Sequence, residues 1–268
     1  MLFRASSIVL LVLCLNFLWG LRPLDYALTA LLTIWTVLSI RGVASMRSRI
    51  FGHVYWRGDG TKKTVALTFD DGPGPHTPEI LDILARHGVK ATFFVIGGNL
   101  KKYPDAAARM RGEGHELGNH TQSHPRVFRM LFQRIREDIE DCQGEIERAA
   151  GYRPRFFRQP VGLNNPSVMK VIDGMGMVMV GWQVRAYDGV KARKKGITAR
   201  ILKGVRPGGI ILLHDGCDGH AACDRTPTVE ALREIIPALK ERGYGFKTVS
   251  EILRMENIQG PVKPENWI

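Results

Sequence analysis

Two adjacent carboxylates in the first third of the chain occupy a setting that favours chemistry. Asp70 and Asp71 follow the apolar, β-branched run 64–69, and the pair Gly72-Pro73 comes directly after them. Because glycine followed by proline breaks regular structure, both carboxylates are expected at the mouth of a strand. The structural alternative is one aspartate that caps a helix and one that is merely solvated.

A pair of histidines adds the chemistry of a metal site. His120 and His124 are four residues apart, a spacing that predicts both imidazoles on one face of a helical turn. Histidine pairs also occur as plain surface features. One carboxylate and two histidines, however, are a complete protein ligand set for a catalytic zinc ion with one position open for water. We therefore expect Asp71, His120 and His124 to bind a divalent metal, with Zn²⁺ as the expected ion.

Hydrolysis at a metal also needs a base and an acid that are not ligands. Asp70 is the predicted base, and Arg158, at the end of the run 155–157, is predicted to keep it ionised. His214 follows the apolar run 210–213 and is the predicted acid, with an ordinary core histidine as the alternative. Asp188 is predicted to orient the His214 imidazole and to raise its pKa.

Five ordered segments resemble the motifs of the polysaccharide deacetylases, the NodB-homology family that is also carbohydrate esterase family four. They are residues 68–73, 120–124 and 158–162, Asp188, and residues 212–215. The resemblance extends over residues 60–253. It implies a distorted (β/α) barrel and metal-dependent hydrolysis of an N-acetyl group, or sometimes an O-acetyl group, on a sugar.

The resemblance also implies residues for the substrate. The backbone N–H of Val161 would help to stabilise the oxyanion, Leu212 would line the pocket for the acyl methyl group, and Pro160 would lie in the substrate site. Val161 stands where the family usually has an aromatic residue, and Gly189 where it often has a tryptophan; Arg185 replaces a common aspartate. Loss of two aromatic faces removes stacking surfaces for a sugar polymer, so the shape of the substrate is expected to differ.

The elements that must position these groups alternate between strands and helices. Short β-branched or aromatic runs predict strands over 64–69, 91–96, 155–157, 177–182, 209–213 and 245–249. Amphipathic segments predict helices over 77–87, 104–111, 131–150, 166–173, 198–203 and 229–242. This alternation is typical of an α/β fold with a parallel sheet, closed here into a barrel. In such barrels the active groups lie at the carboxyl ends of the strands.

The first fifty residues have a different composition. They contain two apolar runs, 5–21 and 26–40, separated by a short polar break. The first run nearly spans a hydrocarbon layer of about 30 Å, and the second does so if Arg41 snorkels and the helix continues to Ala44. We predict a membrane-anchoring hydrophobic helical hairpin in residues 1–50 and one catalytic domain in residues 51–268. A cleaved signal peptide is the alternative, although no cleavage site is evident.

The charge of the chain indicates an anionic partner. Its 268 residues include 38 Lys and Arg against 26 Asp and Glu, a net charge of +12, while 44% hydrophobic and 24% charged residues exclude disorder. Five of the arginines lie in the first fifty residues, which favours membrane lipid; no recognition motif supports nucleic acid. By the positive-inside rule, two spans leave the catalytic domain on the cytoplasmic side of a bacterial inner membrane, the slightly favoured orientation, whereas one span leaves it outside.

Two further clusters have less specific interpretations. The loop 216–225 contains Cys217 and Cys223, which suggest a second zinc site, but their spacing fits no standard zinc pattern. A local disulfide or a solvated loop is therefore favoured. The basic run 191–195 is expected to be the solvated start of a helix, with lipid phosphates as the alternative partner.

Together these features predict a membrane-anchored, metal-dependent carbohydrate N-deacetylase. The expected substrate is an N-acylated amino sugar at the membrane, such as a lipid-linked saccharide, because the chain is tethered, basic and poor in aromatic platforms. Peptidoglycan or a chitin-like polymer is the alternative substrate. A catalytically silent sugar-binding membrane module is the alternative function.

Overall fold

The computed structural model describes most of the chain. The described residues are 23–44, 48–125, 132–162, 166–189, 193–217 and 224–256, with side chains of the first segment described from Tyr26 to Val43. The first apolar run, 5–21, and most of the 216–225 loop lie outside these residues.

Short strands pair into a parallel sheet. In chain order the nine strands of the described residues are β1 Val54–Tyr55, β2 Thr64–Asp70, β3 Thr92–Val95, β4 Glu116–Asn119, β5 Phe156–Phe157, β6 Val178–Val180, β7 Val184–Arg185, β8 Gly209–His214 and β9 Gly245–Phe246. Their order across the sheet is β1-β6-β5-β4-β3-β2-β8-β7, with β9 paired to β2, and each strand pairing is parallel. The sheet is an incomplete barrel with its edges at β1 and β7, which confirms the predicted distorted (β/α) barrel.

Helices surround the sheet and precede it. In chain order they are α1 Pro23–Ala44, α2 Thr77–Arg86, α3 Gly97–Lys102, α4 Pro104–Gly112, α5 Phe132–Ala150, α6 Pro166–Gly174, α7 Lys194–Gly204, α8 Thr226–Glu241 and α9 Val249–Leu253. A 3₁₀ turn covers Pro160–Gly162. Helix α8 packs on α7 and α2, and its apolar face joins the main core with the central strands.

The central strands set the position of the site. Strand β2 is buried from Val65 to Asp70, as expected for a parallel strand that is covered on both faces. Its register places Asp70 opposite Phe94 of β3 and opposite His214 of β8. The Asp70 carboxylate and the His214 imidazole therefore lie side by side at the same edge of the sheet.

The second apolar run forms α1 as predicted. Over Tyr26–Val43 this helix is long and apolar enough to cross a membrane, and the side chains of Leu31, Leu32 and Trp35 are more than three-fifths exposed, at 63%, 64% and 67%. The partner helix of the predicted hairpin falls outside the described residues, so the hairpin stays a prediction.

Several boundaries differ from the sequence prediction. The helix predicted over 198–203 begins at Lys194. The strand predicted over 245–249 ends at Phe246, because Thr248 caps α9 in a capping box with Glu251. Strands β1, β4 and β7 and helices α3 and α9 were not predicted, since runs of two to six residues carry no periodicity. The capping box, by contrast, is visible in the sequence as Thr248-Val249-Ser250-Glu251.

Candidate active site

The carboxylate at the end of β2 is held by a buried arginine. Arg158 is fully buried and donates from Nη1 to Asp70 Oδ1 at 2.7 Å and to Thr68 Oγ1 at 2.7 Å. Its Nη2 donates to the carbonyl oxygen of Gly181 at 2.9 Å, and its Cζ lies 4.0 Å from the centre of the Phe94 ring. Because every side of the guanidinium is occupied, its charge is fixed beside Asp70.

Three potential metal ligands converge next to this pair. Asp71 Oδ1 lies 3.3 Å from His120 Nε2 and 3.2 Å from His124 Nε2, and the ligand atoms of the three residues lie within 4.8 Å of one another. His120 Nδ1 donates to the carbonyl oxygen of Arg158 at 2.7 Å, which leaves Nε2 as the lone-pair atom. One carboxylate oxygen and two imidazole nitrogens in such proximity fit a divalent cation of the zinc type.

The route by which the two histidines meet differs from the prediction. His120 directly follows β4, and no helix covers residues 120–125. Thr121 and His124 have φ values of 71° and 51°, so the chain turns sharply in the left-handed region and returns the second imidazole to the first. The predicted helical turn was therefore wrong. Left-handed φ values at threonine and histidine have no sequence signal of the kind that glycine gives.

The predicted acid, His214, is paired with Asp188. His214 Nδ1 donates to Asp188 Oδ1 at 2.8 Å. Asp188 Oδ2 accepts from the His214 backbone N–H and from Thr228 Oγ1, both at 2.9 Å. The Asp188 side chain is 1% exposed and that of His214 is 19% exposed, so the imidazole reaches the cleft while the carboxylate behind it is sealed.

The electrostatics differ between the two sides of the cleft. Burial alone would lower the pKa of His214, but the charge and hydrogen bond of Asp188 outweigh it and raise that pKa to about 9. Burial alone would raise the pKa of Asp71, but the His120 hydrogen bond and the neighbouring imidazole charges hold that pKa well below its usual range. At neutral pH the site therefore presents an ionised carboxylate on one side and a proton donor on the other.

Comparison with known proteins identifies the family. The model for the family described as polysaccharide deacetylase matches residues 57–180. A peptidoglycan-N-acetylglucosamine deacetylase of Bacillus cereus is 37% identical over 209 residues, which cover 77% of this chain and 95% of the relative. The chain belongs to the polysaccharide deacetylase family.

Other matches agree with this assignment. A chitooligosaccharide deacetylase of Sinorhizobium fredii is 40% identical over 195 residues, covering 70% of this chain and 91% of the relative. The crystal structure of a peptidoglycan N-acetylglucosamine deacetylase matches with a TM-score of 0.72 and 36% identity over 77% of this chain and 95% of that chain. Membership confirms the predicted NodB-type fold and the predicted enzyme class, hydrolases that act on non-peptide C–N bonds.

The predicted substrate residues of this polysaccharide deacetylase lie in two places. Val161 lies in the 3₁₀ turn with a φ of 65° and is 58% exposed, whereas Pro160 before it is buried. Gly162 packs so closely against Trp182 that a Cβ would come within 2.2 Å of the indole. Leu212 is 4% exposed and lies on β8, two residues before His214.

Supporting residues that the sequence did not reveal hold the turn after β2. Asn99 Nδ2 donates to the carbonyl oxygens of Asp71 at 2.8 Å and Cys217 at 2.9 Å. Thr77 Oγ1 donates to Asp215 Oδ2 at 2.6 Å, and a Cβ on Gly72 would meet that oxygen at 2.1 Å. Only Asp215, next to His214 in the last motif, had any signal in the sequence.

The cysteine loop beside the site is described only at its edges. Cys217 takes part in a disulfide bond, and residues 218–223 lie outside the described part. A sulfur in a disulfide is not available as a thiolate ligand, so the second zinc site would lack one of its donors. This outcome agrees with the preferred interpretation of a local disulfide or solvated loop.

Proposed function

We propose that the protein is a metal-dependent carbohydrate N-deacetylase, anchored to a bacterial membrane by its N-terminal apolar segment. The observation that carries the proposal is the convergence of one ligand triad, Asp71, His120 and His124, between a fixed carboxylate and a fixed imidazole. The exposed apolar side chains of α1 support the anchor. Residues 1–50 would be the anchor and residues 51–268 the catalytic domain.

Asp71, His120 and His124 would hold the metal, with Zn²⁺ as the expected ion. A divalent metal in that position supplies Lewis acidity at the acyl oxygen and makes water more acidic. The hydrogen bond from His120 Nδ1 to Arg158 aims the opposite nitrogen at the metal position.

Asp70 would act as the general base. Arg158 occupies its Oδ1, which leaves Oδ2 to take the proton of the attacking water. That second oxygen lies 3.9 Å from His120 Nε2, at the border of the ligand triad.

His214 would act as the general acid. With Nδ1–H committed to Asp188, its Nε2–H is the proton that passes to the amide nitrogen as the C–N bond breaks. The products are acetate and a free amino sugar. We further propose that the Val161 N–H helps to stabilise the oxyanion, while Leu212 and Pro160 shape the acyl and sugar pockets.

The substrate is proposed to be an N-acetylated saccharide of the cell envelope. The relatives are named as deacetylases of peptidoglycan and of chitooligosaccharides, and these names favour a glycan chain. The membrane tether favours a substrate close to the bilayer, which a lipid-linked saccharide satisfies. A panel of lipid-linked sugars, peptidoglycan fragments and chitooligosaccharides separates these classes by the rate of acetate release.

The side of the membrane is a separate question. The Cys217 disulfide supports an oxidising compartment for the catalytic domain, in line with one span. Two spans would place it in the cytoplasm. A reporter fused to the C-terminus distinguishes the two, since alkaline phosphatase is active only outside the cytoplasm.

The deciding experiment is acetate release by full-length protein loaded with zinc. We expect Asp70→Asn to lower kcat by about 10²–10⁴ with the metal content unchanged, and Asp105→Asn, an exposed aspartate of α4, to have no effect. Saccharide binding without acetate release by the unmodified protein would instead indicate a silent sugar-binding module and overturn the proposal.

A further inference from the structure

An exposed tyrosine between two arginines directly precedes Asp188, the partner of the proposed acid. The Tyr187 side chain is 48% exposed. The Arg185 Cζ lies 3.9 Å and the Arg200 Cζ 5.1 Å from the centre of its ring. We call these three residues the Arg-Tyr-Arg cluster. Cation–π contact with the ring holds two positive groups at one place on the surface.

The two guanidinium groups lack carboxylate partners among the residues that the structure describes. Arg200 donates from Nη1 to the carbonyl oxygen of Ala186, which neutralises no charge. Elsewhere on the surface, arginines such as Arg109 and Arg233 pair with carboxylates at 2.8 and 2.7 Å. Two positive charges at one ring repel each other, and an anion bound between them would relieve that repulsion.

The cluster adjoins the proposed acid of the reaction. Arg185 is opposite Leu212 in the pairing of β7 with β8, and Tyr187 immediately precedes Asp188. A Cβ on Gly189 would lie 3.4 Å from His214 Cε1. Since two residues span at most about 7 Å, the Tyr187 backbone lies within about 12 Å of the imidazole.

The backbone of Tyr187 is itself unusual. Its φ is 58°, a left-handed conformation that bulky residues rarely adopt and that concentrates at functional sites. The contact between Arg200 Nη1 and the preceding carbonyl group fixes this turn. The ring and the two charges are therefore preorganised.

We propose that the Arg-Tyr-Arg cluster binds an anionic substituent of the saccharide substrate, a carboxylate or a phosphate, and so selects charged sugars over neutral ones. Tyr187 supplies a face for the sugar ring, and Arg185 supplies the free N–H donors that bind the anion. This inference rests on the proposed deacetylase function, because it assigns part of the substrate of that site.

The first test measures binding rather than turnover. Affinities of the full-length protein in detergent are compared for a chitooligosaccharide, for the same oligosaccharide with lactyl carboxylates, and for its 1-phosphate. We expect one of the charged ligands to bind about tenfold more tightly than the neutral one, as for a charge-assisted hydrogen bond. The preference should shrink as salt is added, and which anion is preferred identifies the source of the charge.

The variants Arg185→Gln and Arg200→Gln should remove this preference and leave the affinity for the neutral ligand unchanged within twofold. Arg185→Lys should retain part of it. Arg206→Gln is the matched control, because Arg206 is an exposed arginine just beyond α7 whose bonds run to backbone carbonyl groups. In turnover, KM for the charged substrate should rise while kcat stays constant. A merely structural role would instead lower kcat/KM equally for the charged and the neutral substrate.

The outcomes separate the two proposals. Preferential binding of the anion without acetate release would support the cluster and overturn the deacetylase proposal. Acetate release with equal affinity for neutral and charged ligands would overturn the cluster alone. Loss of binding to phosphatidylglycerol vesicles in the two glutamine variants, with saccharide preference intact, would assign these arginines to the membrane instead and also overturn the inference.

Discussion

Strand β4 has a buried histidine at each end, and the two histidines have opposite electrostatic surroundings. His115 precedes the strand; burial lowers its pKa to about 4, and its Nδ1 accepts a hydrogen bond from the Ala91 N–H at 3.2 Å. His120 follows the strand; burial would lower its pKa too, but Asp70 and Asp71 outweigh burial and raise it.

The difference lies in how the neighbouring carboxylates are placed. Around His120, Asp71 and His124 bring their ligand atoms together. Around His115, the nearest carboxylate is that of Glu113, 3.8 Å from Nε2, and Glu116 turns to Thr92 and Ser250 instead. The cavity at that end, about 770 Å³, is lined by His115 and Glu116, and His115 Nε2 has no hydrogen-bond partner among the described residues. A buried histidine is a candidate metal ligand only where other ligand atoms lie close to it.

The largest effect on activity is expected when the imidazole of His120 is removed. His120→Ala should abolish metal binding and lower kcat/KM by at least about 10³, because several kcal/mol of charge stabilisation are lost. Metal content after dialysis and acetate release check this. His115→Ala is the control at the other end of the strand, and equal metal loss in both variants would contradict the assignment.

Removing the proposed acid, His214, should have the next largest effect. His214→Gln is expected to lower kcat by about 10²–10³, with zinc retained, since its imidazole is bonded to Asp188 and not to the ligand triad. Stopped assays of acetate release measure the loss. A variant that also lost its metal would show that His214 belongs to the metal site.

Asp188→Asn should move the alkaline limb of the pH profile. An acid must be protonated, so activity falls as pH rises through the pKa of His214, which Asp188 raises to about 9. Without that carboxylate the limb should shift to lower pH, with kcat at neutral pH reduced about tenfold. The pH dependence of kcat measures the shift; an unchanged limb would exclude His214 as the titrating group.

The smallest effect on activity is expected at His115. His115→Gln should leave kcat/KM within twofold and change the acid dependence of stability instead. Because the folded state holds the pKa of His115 near 4, the unfolded state binds the extra proton, and the histidine removes about 2 kcal/mol of stability between pH 7 and pH 5. Urea unfolding at both pH values should show this loss in the parent and not in the variant.

The sequence alone was sufficient to predict the site residues that lie at the ends of long apolar runs. Asp70 and His214 follow such runs. The alternation of strands with helices predicts a parallel sheet, in which both residues lie at the carboxyl ends of their strands. The turn 120–125 could not be predicted, because its left-handed residues are not glycines. Asn99 and Thr228 also escaped prediction, since an isolated amide or hydroxyl has no pattern until the fold places it near Asp71 or Asp188.

Arg158 makes two contacts that have a joint consequence. Its guanidinium group binds Asp70, and its backbone carbonyl group accepts from His120, so one residue positions both the proposed base and a proposed metal ligand. The position of the proposed base and the geometry of the proposed metal site are thus not independent of each other. Substitutions that affect Asp70 should therefore be epistatic with substitutions that affect His120. A change of substrate specificity should arise more readily from substitutions in the Arg-Tyr-Arg cluster than from substitutions around Arg158.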